Sequence, residues 1–212
     1  MSDTTNTTPP ADDTAAWFDE TFAGAPLMAI LRGTGVERAA TLATTAWDLG
    51  IDSVEVTLQS ADDLRSLREV VRLAEERGKI VGAGTIVSPE QIAAAVDAGA
   101  RYLVSPGLDP RVVEAAQRHG IPILPGVSTP SEVQLACSLG LTWLKAFPAQ
   151  WLGTDWFRHI RGPFPQVRFV ATGGLDANNA RQFLDAGVRV VAVGSALEDP
   201  QQLVKLADLL GS

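Results

Sequence analysis

The sequence predicts a single (β/α)8 barrel, a TIM barrel small for its class, preceded by one short helix. Three observations carry that prediction. Eight short β-rich runs alternate with helical patterns from residue 27 onward, helix-closing glycines recur at a near-regular interval, and no shift in composition divides the 212 residues. Gly50, Gly78, Gly99, Gly120 and Gly140 stand 28, 21, 21 and 20 residues apart, and the 47 residues from Gly140 to Gly187 amount to about two such units with one closing glycine missing. Each suits the left-handed position just past a helix, where a side chain is disfavoured.

In chain order, residues 1–13 are rich in Thr, Asp and Pro and have no apolar run. They read as a disordered leader, neither signal peptide nor membrane anchor, which leaves 14–212 for the barrel. Ala15–Phe22 is predicted to be the extra helix, covering the N-terminal end of the barrel. The strands are Leu27–Leu31, Ser53–Thr57, Ile80–Ala83, Tyr102–Val104, Ile121–Leu124, Trp143–Ala146, Arg168–Ala171 and Val190–Val193. They are short and mostly apolar, as parallel strands covered on both faces must be. Helical patterns run over Val36–Leu49, Ala61–Arg77, Pro89–Ala98, Pro110–His119, Pro130–Leu139 and Asp176–Ala186, several with Pro or Asp near the start. A doubly wound open sheet would need one or two of these strands to be absent, and no G-x-G-x-x-G follows the first strand. A leucine-rich solenoid has a similar period but needs an L-x-x-L-x-L ladder that the chain lacks.

Composition narrows the partners. With 46% hydrophobic and 20% charged residues the chain is globular, and a net charge of -8 offers no basic stripe for nucleic acid or an anionic membrane surface. No stretch is long and apolar enough to span a bilayer. Cys137 is the single cysteine and falls in a helical pattern as a small packed hydrophobe, which fits the reducing cytoplasm. Of two histidines, His119 sits beside a helix-closing glycine, where it offsets the helix dipole, and His159 lies near Arg161. With no D-x-D pair at a strand end either, the expectation is no metal.

Two charged residues interrupt the strand runs. Lys145 is flanked by Trp143, Leu144, Ala146 and Phe147, and Glu55 by Val54 and Val56. A buried ammonium must reach water, pair with a carboxylate or lose its proton, and the last makes it a nucleophile for Schiff-base chemistry on ketones. A buried ion pair stabilises poorly compared with packed apolar residues, so the presence of both points to a nucleophilic amine and a general base. Barrel chemistry gathers at the C-terminal ends of strands. There the chain places Arg32-Gly33, Gln59, Gly82-Ala-Gly-Thr85, Ser105-Pro-Gly107, Ser128-Thr129, Thr172-Gly-Gly174 and Gly194-Ser195. The glycine loops after the seventh and eighth strands form the usual phosphate site of such barrels, and Arg32 suits a phosphate or carboxylate. A phosphosugar isomerase or epimerase, or a phosphosugar-binding module without catalysis, would use the same loops.

The motifs Ala29-Ile-Leu-Arg-Gly33, Val54-Glu-Val-Thr-Leu58, Val81-Gly-Ala-Gly-Thr85, Ser105-Pro-Gly107, Leu144-Lys-Ala-Phe-Pro-Ala149, Ala171-Thr-Gly-Gly174 and Val193-Gly-Ser195 run in order from about Pro26 to Leu197. Together they resemble the class I 2-keto-3-deoxy-6-phosphogluconate aldolases and their phosphogalactonate and 4-hydroxy-2-oxoglutarate relatives. The resemblance implies a homotrimer of barrels that reversibly cleaves a 2-keto-3-deoxy-6-phospho sugar acid to pyruvate and glyceraldehyde 3-phosphate. It needs no cofactor beyond a covalent lysine-pyruvate imine. It implies Lys145 as the imine lysine and Glu55 as the acid/base, with Thr85 and Arg32 near the keto-acid carboxylate. Gly173, Gly174, Gly194 and Ser195 would take the phosphate, and Pro106 and Phe147 would shape the pocket. The chain departs from the gluconate branch at Gln59, where that branch carries arginine. Arg32-Gly33 resembles the galactonate branch, but Thr57 stands where that branch tends to carry proline. The choice of C4 epimer stays open.

Overall fold

All six helix-closing glycines take the left-handed backbone that their spacing predicts, with φ of 95° at Gly50, 64° at Gly78, 94° at Gly99, 64° at Gly120, 80° at Gly140 and 92° at Gly187. The computed structural model describes residues 11–211. The first helix, α1, spans Ala11–Thr21, so of the expected leader residues 1–10 lie outside the described residues. There follow β1 (Leu27–Leu31), α2 (Val36–Leu49), β2 (Ser53–Thr57), α3 (Ala61–Glu76), β3 (Ile80–Gly84), α4 (Glu90–Asp97), β4 (Tyr102–Val104) and α5 (Pro110–Arg118). The second half holds β5 (Ile123–Leu124), β6 (Gly126–Val127), α6 (Pro130–Ser138), β7 (Trp143–Ala146), α7 (Ala149–Ile160), β8 (Arg168–Thr172), α8 (Ala180–Asp185), β9 (Val190–Val193), a 3-10 turn (Ser195–Glu198) and α9 (Pro200–Leu210).

Every strand pairing is parallel, in the order β5-β4-β3-β2-β1-β9-β8-β7-β6. The expected fifth strand, Ile121–Leu124, is corrected: the run bends at Pro125, which has no N–H for a ladder, and each half pairs with a different neighbour. Leu103 faces Ile123 on one side, Gly126 faces Lys145 on the other, and the Lys145 N–H donates to the Pro125 carbonyl at 2.9 Å. One bent run thus joins β4 to β7, and nine short segments occupy the eight predicted positions.

The helix expected over Asp176–Ala186 begins only at Ala180. Asp176 accepts the N–H groups of Asn178 and Asn179, while the Asn179 side chain accepts that of Asp176, so the side chains hold a turn in place of the first helical turn. The glycine rhythm does not mark α7, whose C-cap Arg161 is followed by Gly162, a glycine that is not left-handed, and which is interrupted at Gly153, φ 72°.

Strand side chains alternate between two layers. Leu27, Ala29, Leu31, Val54, Val56, Leu144 and Ala146 pack outward in the layer shared with the helices. Met28, Ile30, Tyr102, Val104, Leu124, Trp143, Val170, Val190 and Ala192 fill the lumen together with Phe18 and Phe22. Phe22 lies tilted 5.1 Å from Trp143, Trp17 lies 5.8 Å from Tyr102, and Asp19 accepts the Trp143 indole N–H at 3.1 Å. The α1 helix therefore covers the N-terminal end, and burying Phe18 alone contributes about 2 kcal/mol by transfer.

Candidate active site

The alternation decides where the two strand charges go. Val54 and Val56 face the helices, so Glu55 faces the lumen, and Leu144 and Ala146 do the same for Lys145. Both are buried, Glu55 at 1% and Lys145 at 3% exposure. The lumen makes room for them with glycine. A Cβ on Gly84 would lie 1.7 Å from Glu55 Oε1, and one on Gly82 would lie 2.2 Å from the Tyr102 ring. Tyr102 donates from its hydroxyl to the Val54 carbonyl at 2.9 Å. Burial, and then the charge of nearby Glu55, push the Tyr102 phenol well above its ordinary range.

Lys145 and Glu55 are not spent on each other, since no ion pair within 4.0 Å joins them among the described residues. Three lysines occur in the chain. Lys79 pairs with Asp52 and Lys205 bonds Asn178, whereas the Lys145 amine lies 5.3 Å from the centre of the Phe147 ring. Glu55 Oε2 and the hydroxyls of Thr57, Ser105 and Thr172 are buried without a hydrogen-bond partner among the described residues. Unpartnered buried polar atoms each cost about 1–3 kcal/mol; Thr57, Ser105 and Thr172 stand at or just past C-terminal strand ends, and Trp47 Nε1 and Thr142 Oγ1 are unpartnered elsewhere.

Above the lumen opens a cleft of about 490 Å³. Arg32, Phe147, Gly173, Gly174, Gly194 and Ser195 all line it, so six of the predicted site residues share one surface. The inward-facing Ile30, Thr172 and Ala192 line it as well, which continues the cleft into the lumen. Arg32 is exposed, with no ion pair among the described residues. The glycines here are obligatory: Gly173 (φ 101°) and Gly174 (φ 74°) are left-handed, and a Cβ on Gly174 would lie 2.0 Å from Gln150 Oε1. Two carboxylates that sequence reading missed, Asp176 and Glu198, also line the cleft. Both are engaged, Asp176 by the amides of its turn and Glu198 by Arg38.

Five predicted residues do not line this cleft. Lys145 and Glu55 lie in the lumen, and the Phe147 ring near the Lys145 amine also lines the cleft. Pro106 follows β4, and its carbonyl would meet a Cβ on Gly126 at 2.1 Å, so Gly126 admits that loop. Gln59 is exposed after β2, its N–H donating to Asp63 at 3.0 Å. Thr85 follows β3 with φ 60°, a left-handed backbone that costs a β-branched residue about 1–3 kcal/mol and marks a constrained site. Of the unpartnered hydroxyls, those of Ser105 and Thr172 belong to strand-end motifs read from the sequence, whereas Thr57 could have been placed in the lumen from the period of two. Ser128 and Thr129 are used locally, in the capping box with Glu132 that starts α6. Among the described residues no group of three His, Cys, Asp or Glu side chains could hold a metal ion.

A parallel barrel with a lumenal amine, a lumenal carboxylate and a glycine-rich cleft at its C-terminal rim has the layout of an enzyme of the barrel class. A family model described as KDPG and KHG aldolase matches residues 18–209, and the chain belongs to that family. A probable 2-dehydro-3-deoxy-6-phosphogalactonate aldolase of Rhizobium meliloti (strain 1021) is 35% identical over 176 residues, 82% of each chain. A 2-dehydro-3-deoxy-phosphogluconate aldolase of Treponema pallidum (strain Nichols) is 37% identical over 177 residues, 82% of this chain and 81% of the other. The KDPG aldolase of Legionella pneumophila, solved with pyruvate captured as a covalent carbinolamine intermediate, superposes with a TM-score of 0.78 at 31% identity, covering 90% of this chain and 94% of that one.

Proposed function

We propose that this chain is a class I aldolase that reversibly cleaves a 2-keto-3-deoxy-6-phospho sugar acid to pyruvate and glyceraldehyde 3-phosphate through an imine on Lys145. The observation that carries the reading is Lys145 itself, 3% exposed, lumenal, and paired with no carboxylate among the described residues. Its amine adds to the C2 ketone and water leaves, forming the imine. Glu55 takes the proton of the C4 hydroxyl, the C3–C4 bond breaks, and its electrons move into the imine to give an enamine as the aldehyde departs. Protonation at C3 and hydrolysis by water release pyruvate and restore the amine. No separate cofactor enters this scheme.

The remaining roles follow position. Gly173, Gly174, Gly194 and Ser195 hold the phosphate, and Arg32, on the same cleft, supplies the cation for an anionic end of the substrate. Thr85 serves the keto-acid carboxylate, Phe147 and Pro106 shape the passage to Lys145, and Gln59 stands at the rim where the C4 epimers are told apart. The cleft volume suits a six-carbon phosphorylated acid. A non-catalytic module would need Lys145 and Glu55 to neutralise each other, and no ion pair joins them. The proposal includes a cytoplasmic homotrimer; Trp151, 87% exposed, is the large apolar side chain that a neighbouring copy would cover. The relatives include both gluconate and galactonate enzymes at similar identity. The test is pyruvate release from each C4 epimer: turnover of at least one is expected, and none from either overturns the reading.

A further inference from the structure

The loop after β3 carries Thr85 in a left-handed backbone that its own residue type disfavours. Backbone bonds pin the residues on either side of it, the Leu58 N–H to the Gly84 carbonyl at 2.8 Å and the Ile86 N–H to the Val104 carbonyl at 3.1 Å, and one side chain adds to them at Thr85 itself. The carboxamide of Gln91, in the first turn of α4, accepts the N–H of Val87 at 2.7 Å and of Ser88 at 3.1 Å through Oε1. Through Nε2 it donates to the Thr85 carbonyl at 3.4 Å and, across to the loop after β2, to the Leu58 carbonyl at 3.2 Å. One amide therefore occupies its acceptor twice and both donor directions, joining the segment before Gln59 to the segment that holds Thr85. Three of the four partners lie within six residues of Gln91, yet the fourth, Leu58, is 33 residues away, so the contact exceeds a local cap.

We propose that Gln91 is a positioning residue for the keto-acid end of the site, acting through Thr85 by keeping its backbone left-handed. The inference rests on the aldolase reading, in which Thr85 serves the pyruvate carboxylate. Gln91 touches no reacting atom. Its replacement should weaken pyruvate and leave the phosphate end, carried by the loops after β8 and β9, unchanged.

The experiment compares the unvaried protein with Gln91→Glu and Gln91→Met. Glutamate keeps the acceptor for Val87 and Ser88 and loses both donors; methionine keeps the length and loses all four bonds. Two quantities are measured: the pyruvate concentration that half-saturates borohydride trapping on Lys145, and inhibition of cleavage by inorganic phosphate. The half-saturating pyruvate is expected to rise by about fivefold to tenfold in either variant, the effect of losing the two donor bonds to the Thr85 and Leu58 carbonyls that both variants lack, with phosphate inhibition unchanged. In a Thr85→Gly background, where the left-handed backbone costs nothing, Gln91→Glu should add little. Unchanged pyruvate half-saturation in a variant that traps, equal weakening of pyruvate and phosphate, or full additivity with Thr85→Gly overturns the positioning role and leaves the aldolase reading standing. If the unvaried protein itself fails to trap pyruvate, both fall.

Discussion

Gly84→Ala tests the lumen geometry with one methyl group. The backbone at Gly84 is not left-handed, so alanine meets no conformational penalty there, and the whole effect comes from what the new Cβ touches. It would stand 1.7 Å from Glu55 Oε1, 2.4 Å from Cδ and 2.7 Å from Cγ. Contacts under 3.0 Å are essentially never seen, so the carboxylate must retreat by at least 1.3 Å, the difference between 3.0 and 1.7. Glu55 is 1% exposed, which leaves it no solvent side to swing toward. Overpacking of this kind costs about 1–3 kcal/mol, offset by about 0.4–1 kcal/mol from the stiffer unfolded chain. A net loss of about 1 kcal/mol lowers the melting temperature by about 2–4 °C in a domain of this size. Activity should suffer more, because Glu55 is the proposed acid/base and displacing such a group by about 1 Å costs on the order of 10²-fold. Coupled assay of pyruvate release and a melting curve measure both. Full activity at an unchanged melting temperature would refute the placement of Glu55 against Gly84.

Two further outcomes are expected. Glu55→Gln keeps the shape of the lumen and removes the base, so melting should shift by no more than a few degrees while cleavage falls by about 10²-fold to 10⁴-fold; an active variant would remove Glu55 from the proton transfer. At Glu132, partial burial works to raise the carboxyl, but the N–H groups and hydroxyls of Ser128 and Thr129 outweigh it and hold the group below its ordinary value. A depressed folded-state value means this contribution to stability is complete above the unfolded glutamate range and is lost as pH falls through the folded value. Glu132→Gln should therefore cost stability at pH 7 and reduce the loss on acidification, read from urea midpoints at pH 7 and pH 3; equal losses at both pH values would contradict it.

Much of the fold is legible because it repeats. A left-handed backbone after a helix needs glycine, so Gly50 through Gly140 announce the helix ends and, between them, the strands. Lys145 and Glu55 are legible for the opposite reason: a charge inside an apolar run is costly enough to call for an explanation. What stays hidden depends on partners distant in sequence. Pro125-Gly126 looks like a turn after the fifth strand, and only the approach of β7 shows the chain continuing past it as β6. Gly82 in the third strand and Gly84 after its predicted end give no sign in the sequence of what they face, but each is small because Tyr102 or Glu55 occupies the space opposite. Gln91 looks like an ordinary polar residue in a first helical turn; its four bonds exist only once the loops after β2 and β3 lie side by side.

The central claim is that the Lys145 amine forms the imine. With three lysines in the chain, of which Lys79 and Lys205 are already bonded to Asp52 and Asn178, the assignment is direct. The protein is incubated with pyruvate, reduced with borohydride, digested and mapped by mass spectrometry. The expected result is one pyruvate-derived adduct, on the peptide that holds Lys145; an unmodified Lys145, or an adduct confined to Lys79 or Lys205, contradicts the account.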